Sequence, residues 1–83
     1  MDMKILYFGR IQDVFGRVEM ISLSHPDQTV GELLDELRAR SLATREALSR
    51  PFRVALNQTI LIEESVVLRD EDEVALIPPV TGG

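Results

Sequence analysis

The sequence predicts an α+β fold in which a mixed β-sheet is covered on one side by one main helix. Three observations predict this fold. The chain begins with two stretches typical of strands, an amphipathic helical segment follows them, and the chain closes on a further alternating stretch. Because 83 residues leave room for one domain only, these elements share one core, which buries about 60–65% of the surface of the unfolded chain.

The N-terminal third predicts the first two strands. Residues 3–8 form a short apolar run, in which Ile5 and Tyr7 face one side of the sheet while the residues between them face the other. Residues 11–15 can form a helical turn, and residues 18–23 alternate as a second strand. The expected result is two neighbouring strands separated by a short helical turn.

Thr29 and Glu32 predict the start of the main helix. The threonine side chain can cap the helix, and the glutamate three residues later can bond back to the threonine amide. Apolar residues then follow at positions i, i+3, i+4 and i+7, on one face of a helix that runs to about residue 40. They are Val30, Leu33, Leu34 and Leu37. We interpret this face as part of the core and not as a cofactor site.

The C-terminal half predicts a second short helix at residues 42–48 and two strands at residues 52–56 and 59–62. Asn57-Gln58 supplies the turn between these strands, since asparagine tolerates a positive φ. Four consecutive acids at residues 70–73 predict a solvated tight turn before the last strand. The alternative is that these acids steer the C-terminal tail electrostatically towards a basic partner.

The order of the elements predicts where the C-terminus leaves the fold. Two strands, a helix and then further strands describe the ubiquitin-like β-grasp roll, in which the last strand lies parallel to the first at the centre of the sheet. The last strand here is predicted at residues 74–77. We therefore predict a globular domain at residues 1–77 and an extended C-terminal tail at residues 78–83.

The predicted tail, Pro78-Pro79-Val80-Thr81-Gly82-Gly83, has the composition of a segment that projects from the domain. The prolines end the strand because neither can donate to a sheet ladder, and the two glycines lack a Cβ, so the chain end is narrow. Six extended residues reach roughly 20 Å. Such a tail can enter a narrow channel in another protein and deliver its terminal carboxylate. A Gly-Gly end alone is more often a frayed terminus; the rigid Pro-Pro spacer favours a function.

Composition excludes several classes of function. The chain has no cysteine and one histidine, His25, which we interpret as a turn residue, so we expect no disulfide, cysteine nucleophile or metal site. The formal net charge of −5 disfavours nucleic-acid binding and favours partners that are basic where they meet the chain. No apolar run approaches the roughly 20 residues that span a bilayer, so we expect a cytoplasmic protein without membrane contact.

Several motifs resemble those of the small, sulfur-carrying subunits of molybdopterin synthase, which are ubiquitin-like sulfur carriers. They are Asn57-Gln58-Thr59, Leu68, Asp70, Asp72-Glu73-Val74-Ala75 and Pro78-Pro79-Val80-Thr81-Gly82-Gly83. The resemblance covers the whole chain, and the Pro-Pro-Val-Thr-Gly-Gly ending is its most specific part. One position departs from the family, which often has glycine in the turn where this chain carries Glu71. If that position needs a positive φ, the glutamate costs on the order of 1 kcal/mol.

The resemblance implies a sulfur-transfer reaction at the chain end. A ubiquitin-activating-like adenylyltransferase would use ATP to adenylate the Gly83 carboxylate, which is ionised and unreactive at neutral pH. Sulfur would then replace AMP and leave a thiocarboxylate on Gly83. The tail would enter the large subunit and donate this sulfur to cyclic pyranopterin monophosphate, which builds the molybdopterin dithiolene. The resemblance further implies a heterotetramer of two carriers on a dimer of large subunits.

The resemblance also implies a role for each residue of the tail. Gly83 carries the acyl group, Gly82 leaves that carbonyl unshielded, and the backbone of Thr81 and Val80 is gripped by the partner. The prolines Pro78 and Pro79 hold the tail away from the domain. Two alternatives remain for the residues at the base of the tail. Ile77 or Leu76 extends a sheet patch that binds the partner, or both residues belong to the core, and the sequence favours neither alternative.

Under this interpretation the chain binds no cofactor, ATP is used by the activating partner, and the chain is a sulfur donor that has no enzymatic activity in isolation. Three other functions fit the same sequence. The chain could carry sulfur for thiamine or tungsten-cofactor synthesis, since the fold and the Gly-Gly end are shared. It could be a ubiquitin-like covalent modifier of protein lysines. It could also be an interaction domain whose tail is incidental.

Overall fold

A computed structural model describes residues 2–79, and it shows one five-stranded mixed sheet with the strand order β2-β1-β5-β3-β4. The elements in chain order are β1 (Met3–Tyr7), a 3₁₀ turn (Gly9–Ile11), α1 (Gln12–Phe15), β2 (Val18–Ile21), α2 (Val30–Arg38), α3 (Leu42–Ala47), β3 (Arg53–Leu56), β4 (Thr59–Ile60) and β5 (Glu73–Ile77). The α+β fold and its order of elements are as predicted. Among residues 2–79, no helix is long and apolar enough to cross a membrane.

The last strand, β5, lies at the centre of the sheet, as predicted. It pairs in parallel with β1, with Leu6 opposite Ala75, and in antiparallel with β3, with Ala55 opposite the same residue. The edges of the sheet are β2, which pairs with β1, and β4, which pairs with β3. Because β5 is hydrogen-bonded on both sides, the strand that leads to the C-terminus is held along its whole length.

Helix α2 begins at the predicted capping box. The Thr29 hydroxyl accepts a hydrogen bond from the Glu32 amide at 3.2 Å, and the Thr29 amide donates to the Glu32 carboxylate at 2.9 Å. The whole predicted apolar face of the helix is buried against the inner face of the sheet, which is the face that α2 covers. The helix ends at Arg38, slightly before the predicted end. The core therefore lies between α2 and the inner sheet face, with Met3, Ile5, Tyr7, Val54, Val74 and Leu76 contributed by the strands.

The turn before β5 is tied to the turn between β3 and β4. The Asn57 side-chain amide donates to Asp72 at 2.9 Å, and its carbonyl accepts from the Glu73 amide at 2.9 Å. Asn57 and Gln58 both have a positive φ, as the prediction of a turn at these residues requires. Glu71 also has a positive φ, of 71°. The backbone at this position is therefore strained for a glutamate, where a glycine would not be.

Two predicted strands end two residues earlier in the structure, while the strands predicted at residues 3–8 and 52–56 each lose one residue. The strand expected at residues 59–62 consists of Thr59–Ile60, and the strand expected at residues 18–23 ends at Ile21. The Leu61 amide still donates to Val54, but Ile62 is fully exposed and the acidic residues 63–64 follow it. Because the side chains of residues 62–64 are all exposed, the chain leaves the sheet after Leu61.

Candidate functional site

The root of the C-terminal tail lies at the end of the central strand. The Phe8 amide donates to the Leu76 carbonyl at 3.1 Å, which continues the parallel ladder one step beyond β1. In a parallel ladder the next donor would be the amide of residue 78, and this residue is a proline with no N–H. Pro79 follows and also lacks a donor. The pairing of β5 with β1 therefore stops where the sequence predicts that it does.

Gly9 provides the surface on which Pro78 rests. A Cβ added at Gly9 would lie only 2.8 Å from Cγ of the Pro78 ring, and Gly9 has a φ of +56°. Both the close approach of the ring and the left-handed backbone favour glycine at this position. The first proline of the predicted tail is therefore seated against the backbone that follows β1.

The outer face of the sheet, opposite the face that α2 covers, is largely apolar next to the tail root. Its exposed apolar residues are Phe8 (41% exposed), Val18 (54%), Met20 (55%) and Ile60 (44%), and the charged residues Lys4, Arg53 and Glu73 lie on the same face. The pairing register places Leu6, Ala55, Ala75 and Ile77 on the same face, between these residues. We call this set of residues the outer apolar face. An apolar surface that runs across all five strands is typical of a protein–protein interface.

The structure separates the two residues at the base of the tail. Leu76 is fully buried on the inner face, so for this residue the core alternative holds, and it has no surface to offer a partner. Ile77 points to the opposite side and is half-buried on the outer apolar face. It packs against its neighbours in the sheet there, and its exposed part can contact a partner. The cause is the period-2 alternation of a strand, which sends neighbouring side chains to opposite faces.

The acidic turn lies far from the root of the tail. Its last acid, Glu73, is the first residue of β5, whereas Pro78 follows the strand, so five residue steps separate the two by roughly 17 Å at about 3.3 Å per residue. This distance exceeds the Debye length of about 10 Å at 0.1 M salt. Asp72 also has a local partner, because its carboxylate accepts from the Arg69 amide at 2.8 Å. The solvated-turn interpretation therefore fits the structure better than steering of the tail.

The predicted site residues fall into two groups. Pro78 and Pro79 belong to the described part of the chain, where Pro78 is half-buried and Pro79 is exposed. Val80, Thr81, Gly82 and Gly83 lie outside the described residues, so their predicted roles stay predictions. The structure brings Pro78, Pro79 and Ile77 together with Phe8 and Gly9 at one end of the sheet.

Glu19 is the centre of a polar network away from the tail root, on the inner side of β2. The Tyr7 hydroxyl donates to Glu19 at 2.7 Å, and Arg40 donates two hydrogen bonds to the same carboxylate, at 2.8 and 3.0 Å. The bonds from Arg40 are the main cause that lowers the pKa of Glu19, while burial raises the pKa of Tyr7. Tyr7 also stacks on Phe15 with ring centroids 4.6 Å apart. This network joins the end of α2 to the sheet and has a structural role.

His25 lies in the exposed loop before α2, as predicted, and contacts the capping box. One ring nitrogen is 2.7 Å from the Pro26 carbonyl, and the other is 3.3 Å from the Glu32 carboxylate. The Pro26 carbonyl is the main cause that raises the pKa of His25, with Glu32 and Glu36 adding to it. The geometry is that of a turn residue next to a helix start.

Sequence reasoning missed the outer apolar face and the role of Gly9. The sequence does contain a signal for this face. The side chains of β1 are apolar on both faces of the strand, but only one main helix is predicted, and it can cover one face of the sheet. No local signal indicates that Gly9 contacts Pro78, since the two residues are distant in sequence and meet only when β1 and β5 pair.

Comparison with known proteins adds the family. The model of the ThiS family matches residues 5–83. A molybdopterin synthase sulfur carrier subunit from Mycobacterium tuberculosis is 36% identical over 80 residues, covering 95% of this chain and 94% of its own. One from Chlamydomonas reinhardtii is 33% identical over 87 residues and covers all of both chains. Among solved structures, the complex of subunits 1 and 2 of molybdopterin-converting factor from Helicobacter pylori 26695 contains a similar chain, with 26% identity, a TM-score of 0.73 and full coverage of both chains.

Proposed function

The chain belongs to the ThiS family, and we propose that it is a sulfur carrier subunit of molybdopterin synthase. Relatives with this name match it over nearly the full length of both chains. The observation that carries the proposal is the position of the tail root. Pro78 leaves the central strand of the sheet directly beside the outer apolar face, so a partner that covers this face also meets the tail.

In the proposed reaction, the reagent is the terminal carboxylate of Gly83. A carboxylate oxygen attacks the α-phosphorus of ATP on an activating adenylyltransferase, and pyrophosphate leaves. The resulting acyl adenylate has AMP as a good leaving group, which the ionised carboxylate lacks at neutral pH. Hydrosulfide then attacks the acyl carbon and displaces AMP, and Gly83 becomes a thiocarboxylate.

The second half of the proposed cycle takes place on the large subunit. The tail enters a channel of that subunit, and the thiocarboxylate sulfur is transferred to cyclic pyranopterin monophosphate. Water restores the Gly83 carboxylate, so the carrier can be loaded again. Because a dithiolene contains two sulfur atoms, two such transfers are needed for each pterin.

The domain contributes positioning and not catalysis to this cycle. Four residues follow Pro79, and fully extended they span roughly 13 Å. The seat of Pro78 on Gly9 limits the directions that the tail can take from the sheet, which lowers the entropy lost when it is bound. The outer apolar face supplies buried area for the large subunit next to the tail.

The test is a reconstitution with the purified activating adenylyltransferase, ATP, a sulfide source and the large subunit of the same organism. Mass spectrometry of the intact chain should show one oxygen replaced by one sulfur at Gly83, and the loaded chain should convert cyclic pyranopterin monophosphate to molybdopterin. A chain that lacks Gly83 should do neither, although its domain folds in the same way. Sulfur transfer by the shortened chain would overturn the proposal, and an isopeptide bond from Gly83 to a lysine would favour a protein modifier.

A further inference from the structure

We propose that Arg10, Arg50 and Arg53 form a basic collar around the root of the tail, and that this collar docks against carboxylates at the rim of the protein that receives the tail. The inference rests on the proposed function, under which that protein is the large subunit. It concerns the charge of the surface around the tail root, which is a separate property from the outer apolar face and from the sequence of the tail.

Two of the three arginines, Arg10 and Arg50, line an open hollow of about 780 Å³ beside the tail root. The apolar side chains of Phe8, Ile77 and Pro78 line the same hollow. Arg53 lies on the neighbouring strand, directly opposite Ile77 in the pairing register. A partner that grips the tail at Pro79 therefore comes close to all three guanidinium groups.

Arg10 is held in place by the domain, and residues 2–79 do not use all of its donors. Its guanidinium donates to the Ala47 carbonyl at 2.9 Å and to the Pro51 carbonyl at 3.2 Å. A guanidinium has five N–H donors, so about three have no partner among these described residues. An arginine that is already oriented loses little conformational freedom when it binds a carboxylate, which favours this residue as a docking point.

The charges of the collar are not neutralised within the described part of the chain. Between residues 2 and 79, the ion pairs of arginine are Arg38 with Asp35 and Arg40 with Glu19, and neither pair involves the collar. Asp13 and Glu46 line a neighbouring cleft with Arg10 and Arg50, but no oxygen of theirs lies within ion-pair distance. A partner that covers the collar without supplying carboxylates would bury unpaired charge, which is costly.

The proposed collar differs from the expectation, based on net charge, that partners are basic where they meet the chain. The net charge of −5 is unevenly distributed, because the acidic run at residues 70–73 lies at the opposite end of β5 from Pro78. The charged residues that line the hollow at the tail root are arginines, and so is the residue opposite Ile77 on β3. Complementarity at an interface depends on the local charges, so the surface that receives the tail should be acidic around its channel.

The test is the affinity of the full-length chain for the purified large subunit, measured by titration calorimetry and by association kinetics at low and high salt. The collar variant carries Arg50→Glu and Arg53→Glu, both at exposed positions, whereas Arg10 is left intact because it packs against the domain. The matched control carries Arg45→Glu and Arg69→Glu, which make the same change in net charge at exposed positions outside the collar. Urea denaturation checks that all variants are folded.

We expect the collar variant to bind at least about tenfold more weakly at low salt, mainly through a slower association rate, and we expect this difference to shrink at high salt. Arg50→Lys with Arg53→Lys should retain most of the affinity, since the charge is kept. Equal losses in the collar and control variants, or unchanged or tighter binding by the collar variant, would overturn the inference. If the unaltered chain itself fails to bind the large subunit, the proposed function is what fails.

Discussion

The ring of Pro78 rests on the backbone of Gly9, so closely that a single Cβ at Gly9 would lie 2.8 Å from Cγ of the proline. The two residues are at corresponding ends of the parallel strands β1 and β5. The contact joins the end of the first strand to the start of the tail.

Gly9→Ala should therefore disturb the tail as well as the stability of the domain. The added Cβ pushes the Pro78 ring away, and the positive φ of residue 9 becomes strained by about 1–2 kcal/mol. We expect a loss of unfolding free energy of at least that size together with weaker binding of the large subunit. Urea denaturation and titration calorimetry measure the two effects separately.

Gly16→Ala is the matched control for this variant. Gly16 also has a positive φ, of +85°, but nothing lies within 4 Å of an added Cβ. It should lose stability and retain its affinity for the partner once the folded fraction is taken into account. Equal binding losses in the two variants would show that the Gly9–Pro78 contact has no role in presenting the tail.

Glu71→Gly should stabilise the domain. Glu71 is held at a φ of 71°, where a side chain costs about 1–2 kcal/mol, and glycine removes this cost while adding about 0.4–1 kcal/mol of unfolded-state entropy. We expect a net gain of about 0.5–1 kcal/mol in the free energy of unfolding. Asp70 lies in the same turn but does not have a positive φ. Asp70→Gly should therefore lower the free energy of unfolding, because it relieves no strain. A loss of stability with Glu71→Gly would contradict the strain at this position.

Phe8→Asp should weaken the binding of the large subunit by at least about tenfold. Phe8 is 41% exposed on the outer apolar face, and its replacement by aspartate removes apolar area from the interface and adds a charge that must be desolvated on docking. Leu42→Asp makes the same kind of change on α3, away from this face, at a residue that is 81% exposed. Calorimetric titration of both variants compares the two surfaces, and similar affinities would exclude the outer apolar face as the docking surface.

Glu19→Gln should destabilise the domain at neutral pH and have little effect in acid. The arginine bonds hold the folded pKa of Glu19 below its ordinary value of 4.5, so its contribution is present above that value and is lost as the pH falls through the folded pKa. Since the pair with Arg40 is partly exposed, we expect about 0.5–1 kcal/mol at pH 7. Urea titrations at several pH values measure the difference, and a pH-independent difference would contradict this origin.

The pKa of His25 should lie above its ordinary value of 6.5 in an NMR titration of the folded chain. Its folded-state contribution to stability is then fully present below the unfolded pKa and is lost as the pH rises through the raised folded pKa. Glu32→Gln, which can keep the capping bonds, should lower the pKa of His25 only in part, because the Pro26 carbonyl is the main cause. An unshifted pKa in the original chain would show that the ring is not held in this geometry.

The sequence by itself determined the elements whose signals are local. The capping box at Thr29, the apolar face of α2, the Asn57-Gln58 turn and the prolines that end the last strand depend on neighbours within a few residues, so periodicity and side-chain chemistry predict them. The family could also be predicted from the sequence, because its motifs are short local patterns within the C-terminal third of the chain.

Only the tertiary structure decided which surfaces surround the tail. The sequence could not distinguish Leu76 from Ile77, because both are apolar and only the position of α2 defines which sheet face is the core. It also could not predict the Gly9–Pro78 contact or the grouping of Arg10, Arg50 and Arg53, since these depend on strand pairings between distant segments. Net charge is a sum over the chain, whereas a partner meets only the charges that folding brings to one end of the sheet.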